Sequence, residues 1–249
     1  MIGAIIQARM GSHRLPMKTM KVLEGKPVLQ HVIERIRRSK FIKECVVAAT
    51  TDEKDHVIQE FCQLHQIKCF RGNENDVLER FFKAAKKYQF DIIVRITADD
   101  PLKDPKIIDE AITILVENNL DYVTNTMEPT YPEGIDVEVF TFEALRKAYL
   151  GAKLPSEREH VTPYLWKNPE RFKLHNFKYS EDLSSLRWTM DTEDDYQFMQ
   201  AVYRHFQGCE MFYMEDVLSM LKIHPEIAHI NTGHIRNEGY LKSIREEES

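Results

Sequence analysis

Residues 2–18 read IGAIIQARMGSHRLPMK. The opening run Ile2-Gly3-Ala4-Ile5-Ile6 is apolar without alternation, which is the pattern of a strand buried on both faces of a parallel sheet. The next twelve residues, Gln7 to Lys18, gather Arg9, Arg14 and Lys18 in one short loop, with Gly11, Ser12 and Pro16 between them. Like charges drawn into one loop repel, so the loop is suited to a negative group. In an open parallel sheet, ligands sit beyond the carboxyl ends of the strands, and this loop lies there. Backbone amides around Gly11 and Ser12 are expected to turn inward as a nest, while the guanidinium and ammonium groups neutralise phosphate oxygens. Taken alone, the stretch fits a phosphate site and a basic surface loop equally well.

Working outward, the apolar runs Gly3–Ala8, Cys45–Thr50, Ile67–Phe70 and Ile92–Thr97 predict strands. Between them lie helical stripes: Val28, Leu29, Val32, Ile33 and Ile36; then Val57, Ile58, Phe61 and Leu64; then Val77, Leu78, Phe81, Phe82, Ala85 and Tyr88, with Asp76 as N-cap. A helix over 107–116 and a strand over 122–125 follow. Strands alternating with amphipathic helices predict an α/β fold, a three-layer αβα Rossmann-like arrangement on a mostly parallel sheet. The rhythm changes over 126–190. There the sequence predicts a Pro/Gly-rich loop, strands over 135–140, 172–179 and 186–190, and a small antiparallel extension. Helices near 194–206 and 214–222 close the chain, and the tail from Gly239 is expected to fray. The chain is read as a single domain, 1–249, with an inserted substrate or dimerisation subregion at about 126–190.

With 249 residues, 43% hydrophobic and 30% charged, there is ample material for a core. No apolar run approaches the roughly 20 residues that cross a bilayer, and a signal peptide is not evident, so a cytoplasmic protein is expected. The net charge of −6 is uneven. Residues 1–50 hold ten Lys and Arg against three Asp and Glu, a balance of +7, so the remainder carries −13. An acidic body argues against nucleic acid as partner, and the basic N-terminal segment points to a local anion site. Cys45, Cys62, Cys69 and Cys209 form no C-x-x-C pair, and the ten histidines no H-E-x-x-H. The pair Gly25-Lys26 is no Walker loop, because Met20 and Pro27 stand where glycine and Ser/Thr are needed, and G-x-G-x-x-G is absent.

Two further segments carry acids. Strand 92–97 runs into Ala98-Asp99-Asp100-Pro101, on the same rim as the basic loop. Adjacent carboxylates repel and favour a cation, and hard oxygen ligands suit Mg²⁺. A plain turn before the next helix is the other reading. In Arg187-Trp188-Thr189-Met190-Asp191-Thr192-Glu193-Asp194, another short strand runs into a carboxylate. Asp191 and Asp194 serve either as helix caps or, for Asp191, as a second ligand to an ion held by Asp99.

Ala-Arg-Met-Gly-Ser-x-Arg-Leu-Pro-x-Lys after the first strand, Ala-Asp-Asp-Pro after a central one, GIDVEVF, EREHVTPYLW and RWTMDT occur in that order over about residues 2–205. Together they resemble the CMP-sugar synthetases, the cytidylyltransferases acting on 3-deoxy-manno-octulosonate and N-acylneuraminate. Within that family, the likeness is closest to members of spore coat polysaccharide biosynthesis. The resemblance implies that Ala8, Arg9, Ser12, Arg14 and Lys18 contact the nucleotide triphosphate, with Gly11 in the same loop, and that Asp99 and Asp191 hold Mg²⁺. Thr97 and Arg95 take the nucleotide-binding positions where the octulosonate enzymes carry glutamine and asparagine. Met17 stands where the family usually has glycine. A glycine there fits φ > 0, which methionine resists, so the loop is expected to close differently.

The expected reaction is transfer of a cytidylyl group from CTP to the anomeric hydroxyl of an acidic sugar, of octulosonate or nonulosonate type, with release of pyrophosphate. Its role would lie in surface or spore coat polysaccharide biosynthesis. Arg14, Lys18 and Asp99 are the expected catalytic residues, acting by positioning and charge stabilisation with Mg²⁺. For the sugar, Asp136 and Glu138 lie two apart on one strand face, and Arg158, His160 or Arg187 is a candidate partner for its carboxylate. Ordinary surface ion pairs are the alternative for each. A homodimer is expected from the resemblance. Two rival readings remain: a nucleotide-sugar-dependent glycosyltransferase, and a catalytically degenerate nucleotide-binding protein of coat assembly.

Overall fold

The structure is a computed structural model that describes residues 1–12 and 14–248. In chain order its strands and helices are β1 (Ile2–Gln7), β2 (Val22–Leu23), β3 (Lys26–Pro27), α1 (Val28–Ile36), β4 (Glu44–Thr50), α2 (His56–Leu64), β5 (Lys68–Gly72), α3 (Val77–Lys87), β6 (Ile92–Thr97), α4 (Pro105–Glu117), β7 (Tyr122–Thr124) and β8 (Glu138–Thr141). There follow α5 (Phe142–Gly151), α6 (Pro155–His160), α7 (Pro163–Trp166), β9 (Leu174–Asn176), α8 (Glu193–His205), α9 (Met214–Ile223), α10 (Pro225–Ala228) and α11 (Glu238–Glu247).

Among the described residues, seven strands form one sheet in the order β5-β4-β1-β6-β8-β7-β9. Strands β5, β4, β1 and β6 are mutually parallel, and β8 alone runs against its neighbours β6 and β7. Strands β2 and β3 form a separate antiparallel pair. Successive residues of β1 feed opposite sides: Ala4 and Ile6 pack into one core with Val47, Val94 and Ile96, and Ile5 into another with Val46, Ile93 and Phe81. Burial on both faces explains why these strands read as unbroken apolar runs rather than alternating ones. The α/β architecture with helices on both sheet faces is as expected.

The register sets the site. Gln7 at the end of β1 pairs with Thr97 at the end of β6, and the amide of Ala98 donates to the carbonyl of Gln7 at 3.1 Å. The loops that follow, carrying the cations and the paired aspartates, therefore leave the sheet side by side.

The region 126–190 is less regular than its sequence predicts. The strand expected over 135–140 begins only at Glu138, that over 172–179 shrinks to Leu174–Asn176, and 186–190 forms no strand. A single bridge joins Glu133 to Arg187. Gly134 beside the bridge has φ 101°, and a Cβ there would lie 2.2 Å from the Trp188 carbonyl oxygen, so only glycine lets the two segments come this close. Pro132, two residues earlier, has no amide to donate. The tail does not fray but forms α11, which docks on α6 through Ser156–Glu247 and His160–Ser243 hydrogen bonds.

The basic loop closes with Met17 at φ 59°, ψ 20°, the left-handed conformation, so methionine takes up the geometry that was expected to exclude it. Leu15 and Thr19 anchor the turn by being buried on either side, while Met17 itself is exposed. A non-glycine residue in this region costs about 1–2 kcal/mol, partly offset by the flexibility that glycine adds to the unfolded chain. Met17→Gly is therefore expected to raise stability by about 0.5–1 kcal/mol in urea denaturation. An unchanged or lower midpoint would show that the turn carries no strain.

Candidate active site

Two adjoining cavities open on the rim formed by the ends of β1 and β6. The first, about 560 Å³, is lined by Ala8, Arg9, Gly11, Ser12, Arg14 and Lys18 of the basic loop, with Val77 and Arg80 of α3, and Lys242 and Arg245 of α11. The second, about 500 Å³, is lined by Arg95, Lys103, Glu133, Asp136, Glu138, Thr162, Trp166 and Tyr240. Gln7, Thr97, Asp99, His160, Asp191 and Glu238 belong to both walls. A molecule in one cavity thus meets a molecule in the other across Asp99 and Asp191.

These two aspartates lie ninety-two positions apart, and the segments that carry them are joined where the amide of Met190 donates to the carbonyl of Asp99 at 2.9 Å. Their carboxylates both hold the Lys18 ammonium. Burial works to lower the Lys18 pKa, but attraction to Asp99 and Asp191 outweighs it and the value is raised, so Lys18 stays charged. Burial likewise works to raise the Asp99 pKa, and Lys18 more than offsets it. Arg14 adds a hydrogen bond to Asp191 at 3.0 Å and pairs on its other side with Glu238.

The neighbouring acid has a different task. Asp100 accepts from Thr97 and lies 2.8 Å from Lys103 Nζ, which also donates to the Asp136 carbonyl. Burial raises its pKa against the pull of Lys103. Of the two adjacent carboxylates, Asp99 faces the junction of the cavities and Asp100 braces the wall.

Asp191 keeps its carboxylate for the site because other groups cap α8. Thr192 accepts from the amide of Asp195 at 3.3 Å, and Asp195 returns a bond to the Thr192 amide at 3.0 Å. The fully buried Asp195 also accepts from the Asp191 amide at 2.9 Å, from Arg187 Nε at 2.9 Å and from Asn231 at 2.9 Å.

Several expected sugar contacts are placed otherwise. Arg158 lines neither cavity; it pairs with Asp76, the N-cap of α3, and donates to the Tyr149 carbonyl at 2.8 Å. Arg187 is buried between Asp195 and Glu133, 2.7 Å from the latter, and positions the Asp191 segment from behind. Glu138 does line the second cavity, but it is held by Arg95, Thr162 and Tyr122, whose hydroxyl donates at 2.6 Å. Asp136 lines it too, paired with Arg236, and lies outside β8 rather than on it. Arg95 borders the second cavity and not the first, whereas Thr97 borders both. The expected nest is only partial, since the Ser12 amide donates to the Met10 carbonyl at 2.9 Å.

His160 lies at the junction, and burial pushes its imidazole down to about 4, so it is neutral at pH 7. It is aimed by a tight turn: Val161 has φ 72°, ψ −53°, and the Thr162 amide donates to the His160 carbonyl at 2.8 Å. A β-branched residue in that strained γ-turn turns both His160 and Thr162 toward the cavity.

The residues fit a divalent cation of the hard kind. Among the described residues, no group of three or more His, Cys, Asp and Glu forms a self-sufficient metal cage. Two carboxylates converging on one ammonium are nevertheless the donor set that Mg²⁺ uses when water and substrate phosphates supply the rest.

Sequence reading missed Lys103, Asp195, Arg80 and the whole of α11. Lys103 sits three residues after Asp100, a spacing that hinted at the pair; α11 gave no signal beyond its amphipathic charge.

Comparison with known proteins identifies the family. The cytidylyltransferase family model matches residues 3–225. An uncharacterized protein of Methanocaldococcus jannaschii is 38% identical over 96% of this chain and 97% of its own length. Spore coat polysaccharide biosynthesis protein SpsF of Bacillus subtilis is 30% identical over 90% of this chain and 95% of its own. The solved structure of a cytidylyltransferase from Leptospira borgpetersenii superposes with a TM-score of 0.88 at 36% identity, covering 94% of this chain and 99% of that one. The basic loop, the aspartate at the end of β6 and the aspartate before α8 thus stand in a nucleotidyltransferase, and the chain belongs to the cytidylyltransferase family.

Proposed function

We propose that this chain transfers a cytidylyl group from CTP to a hydroxyl of an acidic sugar and releases pyrophosphate, with Mg²⁺ held by Asp99 and Asp191. The observation that carries this reading is the placement of Lys18, Asp99 and Asp191 together where the two cavities meet. The triphosphate occupies the first cavity, where Arg9, Arg14 and Lys18 offset its charge, and the sugar occupies the second. Bound Mg²⁺ would supply further charge neutralisation at the phosphates.

In-line attack by the sugar hydroxyl on the α-phosphorus builds charge on that phosphate and on the departing pyrophosphate. Lys18 is positioned at the junction to stabilise it without reorganisation, because both carboxylates already fix its ammonium. His160 is neutral there and available to hold a hydroxyl, or to take its proton. Among the described residues, a sugar carboxylate would meet Arg95 or Lys103, the arginine and the lysine of the second cavity's wall.

The test is a pyrophosphate-release screen with Mg²⁺, crossing the four nucleoside triphosphates with keto-acid, neutral and amino sugars. Release is expected only with CTP and a keto-acid sugar together. Release with a triphosphate other than CTP, or from no combination, would reject the reading.

A further inference from the structure

The core-facing stripe of α3 contains a residue that its periodicity would assign to an apolar side chain. Val77, Phe81 and Ala84 pack inward, and Arg80 lies among them, 2% exposed. Its Nη1 donates to the Asn73 carbonyl at 2.8 Å, while its Nε is buried without any hydrogen-bond partner. No carboxylate of the described residues forms an ion pair with it; Asp55, Glu74 and Asp76 act on it only from a distance. Burial, and then the neighbouring charge of Arg9, push its pKa down to about 10.

A buried cation left partly unpaired is costly, and a site retains one when a ligand completes it. Arg80 borders the first cavity together with Arg9, so it forms part of the wall beside the basic loop. An anion seated there would give the guanidinium a charged partner and relieve the repulsion between the two arginines.

From this arrangement we infer that Arg80 is a phosphate-binding residue, gripping the nucleotide's phosphate chain from the helix side while the basic loop grips it from the other. The inference rests on the reading that the first cavity takes the triphosphate. Arg80 reaches the ligand from the interior, so it is fixed before the ligand arrives, whereas Arg9 and Arg14 are exposed on the loop.

The test is calorimetric titration of CTP and of inorganic pyrophosphate into the wild-type chain, Arg80→Met and Arg80→Lys, with a thermal melt of each. Loss of a charge-assisted contact predicts that Arg80→Met binds both ligands about 10- to 100-fold more weakly. Its melting temperature should hold or rise, because a buried charge without an ion-pair partner has been replaced by an apolar chain of similar length. Arg80→Lys should retain part of the affinity. If Arg80→Met binds both ligands as the wild type does, or loses CTP while keeping pyrophosphate, the inference is overturned. A lower melting temperature with unchanged affinity would mark Arg80 as purely structural. Failure of the wild type itself to bind either ligand would bring down the proposed function, and this inference with it.

Discussion

Lys18→Ala and Asp99→Asn are each expected to lower turnover by about 100- to 1,000-fold, the usual cost of removing one preorganised charge from a transition state. In Lys18→Ala, the ammonium shared by Asp99 and Asp191 disappears, leaving two carboxylates that face each other. Both are about a quarter exposed, so water screens their repulsion and the fold should survive. In Asp99→Asn, Lys18 keeps Asp191 and Arg14 keeps its own bond to Asp191. The two variants thus separate loss of the cation from loss of one carboxylate. Steady-state pyrophosphate release at saturating CTP is the measurement, with the melting temperature as control. Near-normal rates in either variant would remove the mechanism.

The largest effect on stability is expected at Asp195, which lines neither of the two cavities. Its side chain is fully buried and accepts five hydrogen bonds from Arg187, Asn231 and the amides of Asp191 and Thr192. Asp195→Ala leaves Arg187 buried with Glu133 as its remaining close partner. Breaking a buried ion pair from one side typically costs about 3–5 kcal/mol, a large share of the stability of a domain. The Asp191 segment loses its brace at the same time, so residual activity should fall even where the protein folds. Burial works to raise the Asp195 pKa, but its bonds from Arg187, Asn231 and the Asp191 amide lower it overall. A depressed carboxylate stabilises the fold fully above its unfolded value near 3.8, and that stability is lost as pH falls through the folded value. A urea titration showing less than about 1 kcal/mol lost in Asp195→Ala would contradict this account.

The strands that build the site were legible because they are buried on both faces. An unbroken apolar run such as Ile2–Ile6 has few other uses, and the cap Asp76 announces its helix by local chemistry. The convergence of Lys18, Asp99 and Asp191 was legible only as a hypothesis. It depends on long-range contacts such as the hydrogen bond between Met190 and Asp99, and sequence spacing carries no information about them.

Arginines were the least readable residues. Arg158 and Arg187 have the charge that a sugar carboxylate needs, but their partners Asp76 and Asp195 are supplied by the fold and consume that charge. Arg80 went the other way: its helical stripe read as apolar, and the cavity beside it gives the guanidinium a different purpose. The tail misled because charge-rich ends usually fray. Here α11 finds α6, places Tyr240 edge-on to Trp166 at 5.7 Å, and so completes both cavities.

The most direct test of the central claim is a crystal structure of the chain with CTP and Mg²⁺. The triphosphate should lie between Arg9, Arg14 and Lys18, with the metal on Asp99 and Asp191 and an open second cavity beside the α-phosphate. A nucleotide bound elsewhere, or a metal that touches neither aspartate, would contradict it.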